Sequence, residues 1–248
     1  MYMTKYLMPL SLLFLSLLSC KDSQTETKTE GVSVLQECIE AHGGQKFKKA
    51  IIHFEVGDTH YKMKHEGDRK FYKMTKSFDN GVHEVTYDQG LIQYFINDTL
   101  QDNATYNNRI VSMRLDGFLY TSSIPHYFNA NDVLVSKLKD VTIRSEKYTV
   151  LHITFKEIPN LPKNEFVLYL NRKTHIIEYM ALRYEHLMSQ LQFRRMTNPR
   201  EVGGVLFQDF TPFTPLDENV LLLDLYKKYN NAELNNLKPV TYSNINVN

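Results

Sequence analysis

The sequence predicts a mainly β, α+β domain: a curved antiparallel sheet forming a half-barrel, with an N-terminal helix and one or two helices on the concave face. Three observations predict it. Tyr and Phe are abundant, at 16 and 14 residues, against 10 Gly and no Trp, and aromatic and β-branched residues suit a pleated, half-buried surface. Short runs of alternating apolar and polar residues recur between turn residues. The runs number about ten, enough for an open twisted sheet to curl.

The elements follow in order. Val34, Leu35, Cys38, Ile39 and His42 share one face of a helix over residues 32–42. Gly43-Gly44 can end it in the left-handed conformation. Tyr61, Met63 and His65 then alternate with His60, Lys62 and Lys64. Gly67-Asp68 turns the chain into Arg69 to Ser77. Asp79-Asn80-Gly81 is a hairpin signal leading into Val82 to Tyr87. Asp88-Gln89-Gly90 turns again into Leu91 to Asn97. These four strands read as an antiparallel meander.

Residues 103–121 change rhythm, with Tyr106, Ile110, Met113, Leu115, Phe118 and Leu119 at helical spacing. A loop over Ser122 to Asn131 follows. Lys137 to Arg144 and Lys147 to Lys156 form a hairpin, with Leu151, Ile153 and Phe155 on one face. Phe166 to Leu170 is apolar on both faces and should be central or covered. Ile176 to His186, Leu191 to Thr197 and Val205 to Phe210 complete the run, with Pro212 and Pro215 ending the last. A short helix near Leu222 to Tyr229 and a strand near Val240 to Val247 are expected in the tail.

The first residues read as an address. Lys5 precedes an uncharged apolar stretch from Leu7 to Leu18. That is the length of a signal-peptide core and too short to span a bilayer. Leu17-Leu18-Ser19-Cys20 resembles the lipobox of bacterial lipoproteins. The resemblance implies cleavage after residue 19, lipid attachment at Cys20, and a membrane anchor of several acyl chains. Residues 21–30 hold no apolar side chain and read as a flexible tether. Residues 31–248 then fit one domain. Lys21, rather than Asp, follows the Cys. By resemblance to sorting rules that favours the outer membrane, on its periplasmic face or at the cell surface.

Composition limits the function classes. With Cys20 lipidated, Cys38 is the remaining cysteine, and no internal disulfide can form in the mature chain. Formal net charge is +1 with signs interspersed, so nucleic acid is not an expected partner. Nine histidines are present, but His60 and His65 face opposite sides of a strand. His83-Glu84 lacks a second His at helical spacing. No metal site and no cofactor are expected. No Gly-x-Ser-x-Gly, P-loop or Gly-x-Gly-x-x-Gly motif occurs, and the chain is not expected to be an enzyme. Carboxylate pairs such as Glu84 with Asp88 are not marked out as catalytic. Arg194 and Arg195, near Arg200, could bind an anion, but a solvated strand face is the simpler expectation. Asp98-Thr99-Leu100 resembles a short O-glycosylation site of Bacteroidota envelope proteins, which would modify Thr99.

A wider resemblance rests on His42-Gly43-Gly44, Asp58-Thr59-His60-Tyr61-Lys62, Tyr94 with Ile96-Asn97-Asp98, and Pro125-His126-Tyr127-Phe128. It continues through Phe193-Arg194, Asn198, Arg200, Val202-Gly203-Gly204, Phe207, Asp209-Phe210 and Pro215. Together these are similar to an uncharacterised family of Bacteroidota envelope lipoproteins, a domain of unknown function. More distantly, one helix followed by a meander resembles the lipoprotein-carrier fold of the LolA/LolB type. That resemblance implies an apolar cavity lined by Leu151, Ile153, Phe155, Phe166 and Leu168, holding a lipid or lipoprotein. An ordinary packed core explains the same residues. The alternatives are an interaction lipoprotein docking an envelope partner, and an enzyme using His60, His126 or Arg194 in a pocket.

Overall fold

A computed structural model of the chain describes residues 23–66, 69–89, 91–102, 115, 117–128, 132–156, 164–184, 191–217 and 219–248. Cys20 and the signal segment lie outside these residues. Among the described residues are two seven-stranded antiparallel sheets and a few helices, an open and curved α+β arrangement.

Helix α1 spans Ser23–Ala41 and α2 spans Gly44–Lys49. Between them Gly43 has φ 117°, in the left-handed region that the Gly pair was expected to supply. The first sheet is built from β1 (Ile51–Val56), β2 (Thr59–Glu66), β3 (Arg69–Phe78), β4 (Gly81–Asp88), β5 (Leu91–Ile96) and β6 (Thr99–Leu100). The second holds β7 (Val133–Ile143), β8 (Glu146–Phe155), β9 (Glu165–Asn171), β10 (Ile177–Arg183), β11 (Leu191–Val202), β12 (Val205–Pro215) and β13 (Leu234–Asn236). A short helix α3 covers residues 117–122, and α4 covers Leu225–Asn230. Strand β14 (Tyr242–Val247) returns to pair with β1 at the edge of the first sheet.

The meander and the hairpins lie where the turn residues put them. Phe78 sits opposite Gly81 across Asp79-Asn80, and Val202 opposite Val205 across the paired glycines. Four features differ from the sequence reading. Helix α1 begins at Ser23, inside the stretch expected to be a tether, and Glu30 on it reaches Lys137 of β7 at 2.5 Å. Strand β1 is additional; its alternation is short, and its pairing with β14 is settled by residues far along the chain. Strand β12 runs through Pro212, whose carbonyl accepts the Leu237 N–H. The strands form two sheets rather than one. Residues 103–114, part of the expected helical region, lie outside the described residues.

The second sheet is covered on both faces, which accounts for the doubly apolar Phe166 to Leu170. One face packs Leu151, Ile153, Phe166 and Leu168 under Leu35, Cys38 and Ile39 of α1. The other packs Tyr169, Ala181 and Phe193 under Leu222, Leu225 and Tyr229. The first sheet buries Ile52, Met63, Tyr72 and Val85 against Phe47 of α2 and Leu119 of α3. Each such side chain contributes about 1.5–3 kcal/mol on burial.

The sheets meet where the chain passes from Val240 to Tyr242. Phe210 and Val240 exchange backbone hydrogen bonds of 2.8 and 3.0 Å. Asp209 accepts from Arg200 and from the Tyr242 N–H, both at 2.9 Å, and from Asn198 Nδ2 at 2.9 Å. Arg200 also donates to the Tyr242 carbonyl at 2.6 Å. This network fixes β14 to β12.

Candidate functional site

At that junction lies a cavity of about 40 Å³, lined from both sheets, the end of α1, α2 and α3. A water occupies roughly 10–15 Å³ by such a measure, so the space suits about three waters or a compact polar group. Its walls are apolar at Phe47, Phe54, Met63, Val205 and Phe210, and polar at His42, His126, Arg194, Gln208 and Tyr242.

Strand alternation brings Arg194 here. Phe193 packs into the outer core, so Arg194 points to the opposite face. It is 5% exposed, which corrects the expectation of a solvated strand face at this residue. Its neighbour Arg195 is the exposed one. The Arg194 Nε donates to Gln192 at 3.0 Å, and the guanidinium lies 4.4 Å from the Phe210 ring centroid. It forms no ion pair among the described residues. Burial pulls its pKa down to about 10, leaving it cationic at neutral pH.

His42 arrives at the end of α1 and is 4% exposed. Its carbonyl accepts from Leu206 N at 3.2 Å, just past the Gly203-Gly204 turn. A side chain at Gly43 would come within 2.9 Å of the Gly204 carbonyl oxygen, so this close approach requires glycine. The His42 ring places Nδ1 2.7 Å from the Cys38 carbonyl. A carbonyl only accepts, so Nδ1 carries the proton and Nε2 presents a lone pair. His126 follows the same logic. Its Nε2 donates to the His42 carbonyl at 3.1 Å, leaving Nδ1 as the acceptor. Burial lowers both imidazoles, His126 to about 3, so both are neutral at neutral pH. Among the described residues, His126 Nδ1 is buried with no hydrogen-bond partner, and His42 Nε2 has none of good geometry, the Gln208 side chain facing the His42 ring; such unmet polar atoms are costly in a native interior. Nearby, Gln208 donates to the Ile177 carbonyl at 3.0 Å, and Ser122 Oγ lies 2.9 Å from the Tyr242 hydroxyl.

The other residues singled out in the sequence lie elsewhere. Leu151, Ile153, Phe166 and Leu168 have no exposed surface, and Phe155 is half-buried beside them. They fill the space beneath α1 and do not line this cavity. Thr99 is exposed on β6. His60 is exposed and pairs with Glu55 at 2.9 Å. So of His60, His126 and Arg194, the last two share a cavity. Cys38 is buried, and desolvation pushes its thiol well above the usual range. Among the described residues no three His, Cys, Asp or Glu side chains gather as a metal site. No described helix is long and apolar enough to cross a membrane. Sequence reasoning missed His42, Gln208 and Tyr242 as a group. His42 reads as one more position on a helix face, and its convergence with residue 242 exists only in the fold.

A family model described as a family of unknown function, DUF6503, matches residues 9–241. No curated protein matches the chain. Solved structures similar to it include the following two. One is a DUF1329 family protein from Desulfovibrio piger, 8% identical, covering 89% of this chain and 92% of its own, with a TM-score of 0.47. The other is a putative outer membrane lipoprotein-sorting protein domain from Vibrio parahaemolyticus, 11% identical, covering 89% and 93%, with a TM-score of 0.43.

Proposed function

This chain belongs to the DUF6503 family, a family of unknown function, and we propose that it is a lipid-anchored envelope protein whose domain binds a small ligand between its two sheets. One observation carries the binding reading: Arg194 is buried at the cavity with no carboxylate beside it among the described residues. An uncompensated buried charge costs several kcal/mol, and structural cores avoid it. A concave site that is mostly apolar with a few convergent polar groups is how small ligands are held. The apolar stretch ending at Cys20 supports the anchor and the envelope location. The packing of Leu151 and its neighbours under α1 favours a compact ligand at the junction over a long acyl chain beneath the helix.

Two measurements test this. Palmitate labelling of the full chain should be lost in Cys20→Ser, with release from the membrane fraction; retention of label would refute the anchor. Native mass spectrometry of the purified full chain should show a bound small molecule that Arg194→Met lacks. A bare mass for the wild-type chain, across several preparations, would remove the binding reading.

A further inference from the structure

We propose that the ligand is an oxyanion that keeps a hydroxyl of its own, such as a hydrogen phosphate or a 2-hydroxycarboxylate. The inference rests on the binding reading above and names the chemistry that the cavity would accept.

Three observations converge. The first is charge. Arg194 supplies a guanidinium at the cavity wall, and the nearby acid does not answer it. Asp209 is already engaged by Arg200, Asn198 and the Tyr242 N–H. A bound anion completes Arg194, and a guanidinium presents paired donors to an oxyanion. The second is hydrogen-bond polarity. His42 and His126 each direct their one N–H to a backbone carbonyl, so the nitrogens left over are acceptors. Both are buried; among the described residues His126 Nδ1 has no partner, and His42 Nε2 has none of good geometry beside the Gln208 side chain. A simple carboxylate has no donor to offer them, whereas a hydroxyl-bearing anion has one. The third is size. The cavity of about 40 Å³ suits an oxyanion head and excludes a chain. Phe47, Phe54 and Val205 give it an apolar wall beside the polar groups.

Arg194 thereby differs from a structural arginine in a measurable way. If it serves a ligand, the empty fold carries it at a cost, and removing it relieves that cost. If it serves the fold, through the Phe210 ring and Gln192, removing it destabilises.

Calorimetric titration of the full chain in lipid nanodiscs tests the proposal, with inorganic phosphate, 2-hydroxybutanoate, butanoate and butanol as probes. Phosphate or 2-hydroxybutanoate should bind about tenfold or more tighter than butanoate, because a site with unpaired polar groups rejects ligands that leave them so. Which of the two binds identifies the source of the anion. Arg194→Met should abolish that binding while melting no lower than wild type, and Arg194→Lys should keep part of it. Butanol binding as well as the anions would overturn the oxyanion and leave the binding domain standing. Butanoate matching 2-hydroxybutanoate, with phosphate silent, would overturn the hydroxyl requirement. Arg194→Met melting lower with probe affinity unchanged would assign Arg194 to the fold and overturn the proposal.

Discussion

His126 lies flat on Phe47, with ring centroids 3.9 Å apart and planes 7° from parallel, while its Nε2 holds the His42 carbonyl. This contact ties the loop after α3 to α2 and to the end of α1. His65 on β2 is the third imidazole of the group, 5.3 Å from the same Phe47 ring and 3.2 Å from the Tyr72 hydroxyl. Of the three, His42 and His126 line the cavity, and His65 stands behind Phe47.

Acid should loosen this part of the fold. Burial lowers His42, holds His65 at about 4 with Lys70 contributing, and holds His126 at about 3, against 6.5 for free histidine. Below pH 6.5 the unfolded chain therefore binds more protons than the fold. The stabilisation is complete above that value and is lost as pH falls from it toward 3–4. Melting temperature against pH should fall across this window, and less steeply in His126→Phe. A wild-type curve flat over the window would refute the account.

The Asp209 network should be a strong stabiliser. Asp209→Ala would leave the Tyr242 N–H without its acceptor and Arg200 without its carboxylate. Breaking a largely buried ion pair from one side costs about 3–5 kcal/mol. A lowered urea midpoint with an unchanged slope is the expected result, and a shift under about 1 kcal/mol would mean that β14 is held by other contacts.

The cluster under α1 should behave as packed core. Leu151→Ala should cost about 2–5 kcal/mol, the cost of a cavity in a close-packed interior. A ligand-lined surface would respond differently, with little loss of stability in the unliganded chain. The denaturation midpoint decides between them.

Gly31 should resist substitution. It lies on α1 where a Cβ would meet the Lys137 nitrogen at 3.0 Å and the Val135 oxygen at 3.1 Å. Those atoms belong to the backbone of β7, an edge strand that the helix covers, and cannot swing aside. Gly31→Val should destabilise by about 1–3 kcal/mol through overpacking, whereas an exposed helical glycine would gain or change little. Thermal melting of the two chains gives the sign.

Local patterns settled much of the fold. Alternation and turn residues marked the meander from Tyr61 to Ile96, the hairpin around Arg144-Ser145, and the covered strand at Phe166, because period and turn chemistry act over a few residues. The division into two sheets was not legible. Nor was the outer edge of the first sheet, where β14 pairs with β1 across residues almost 200 positions apart, as in Ile52 with Val247. Neither was the site. Arg194 beside Arg195 looks like a charged surface, and only the packing of Phe193 outward decides which of the two is buried.

By itself the sequence determined the mainly antiparallel α+β class, the places of most strands, and the address-like apolar stretch ending at Cys20. These depend on local composition and periodicity. The tertiary structure alone shows that Leu151 and its neighbours are buried beneath α1, and that His42, His126 and Arg194 share a cavity. Burial and unmet hydrogen bonds are properties of neighbours in space, and here the neighbours come from both sheets and three helices.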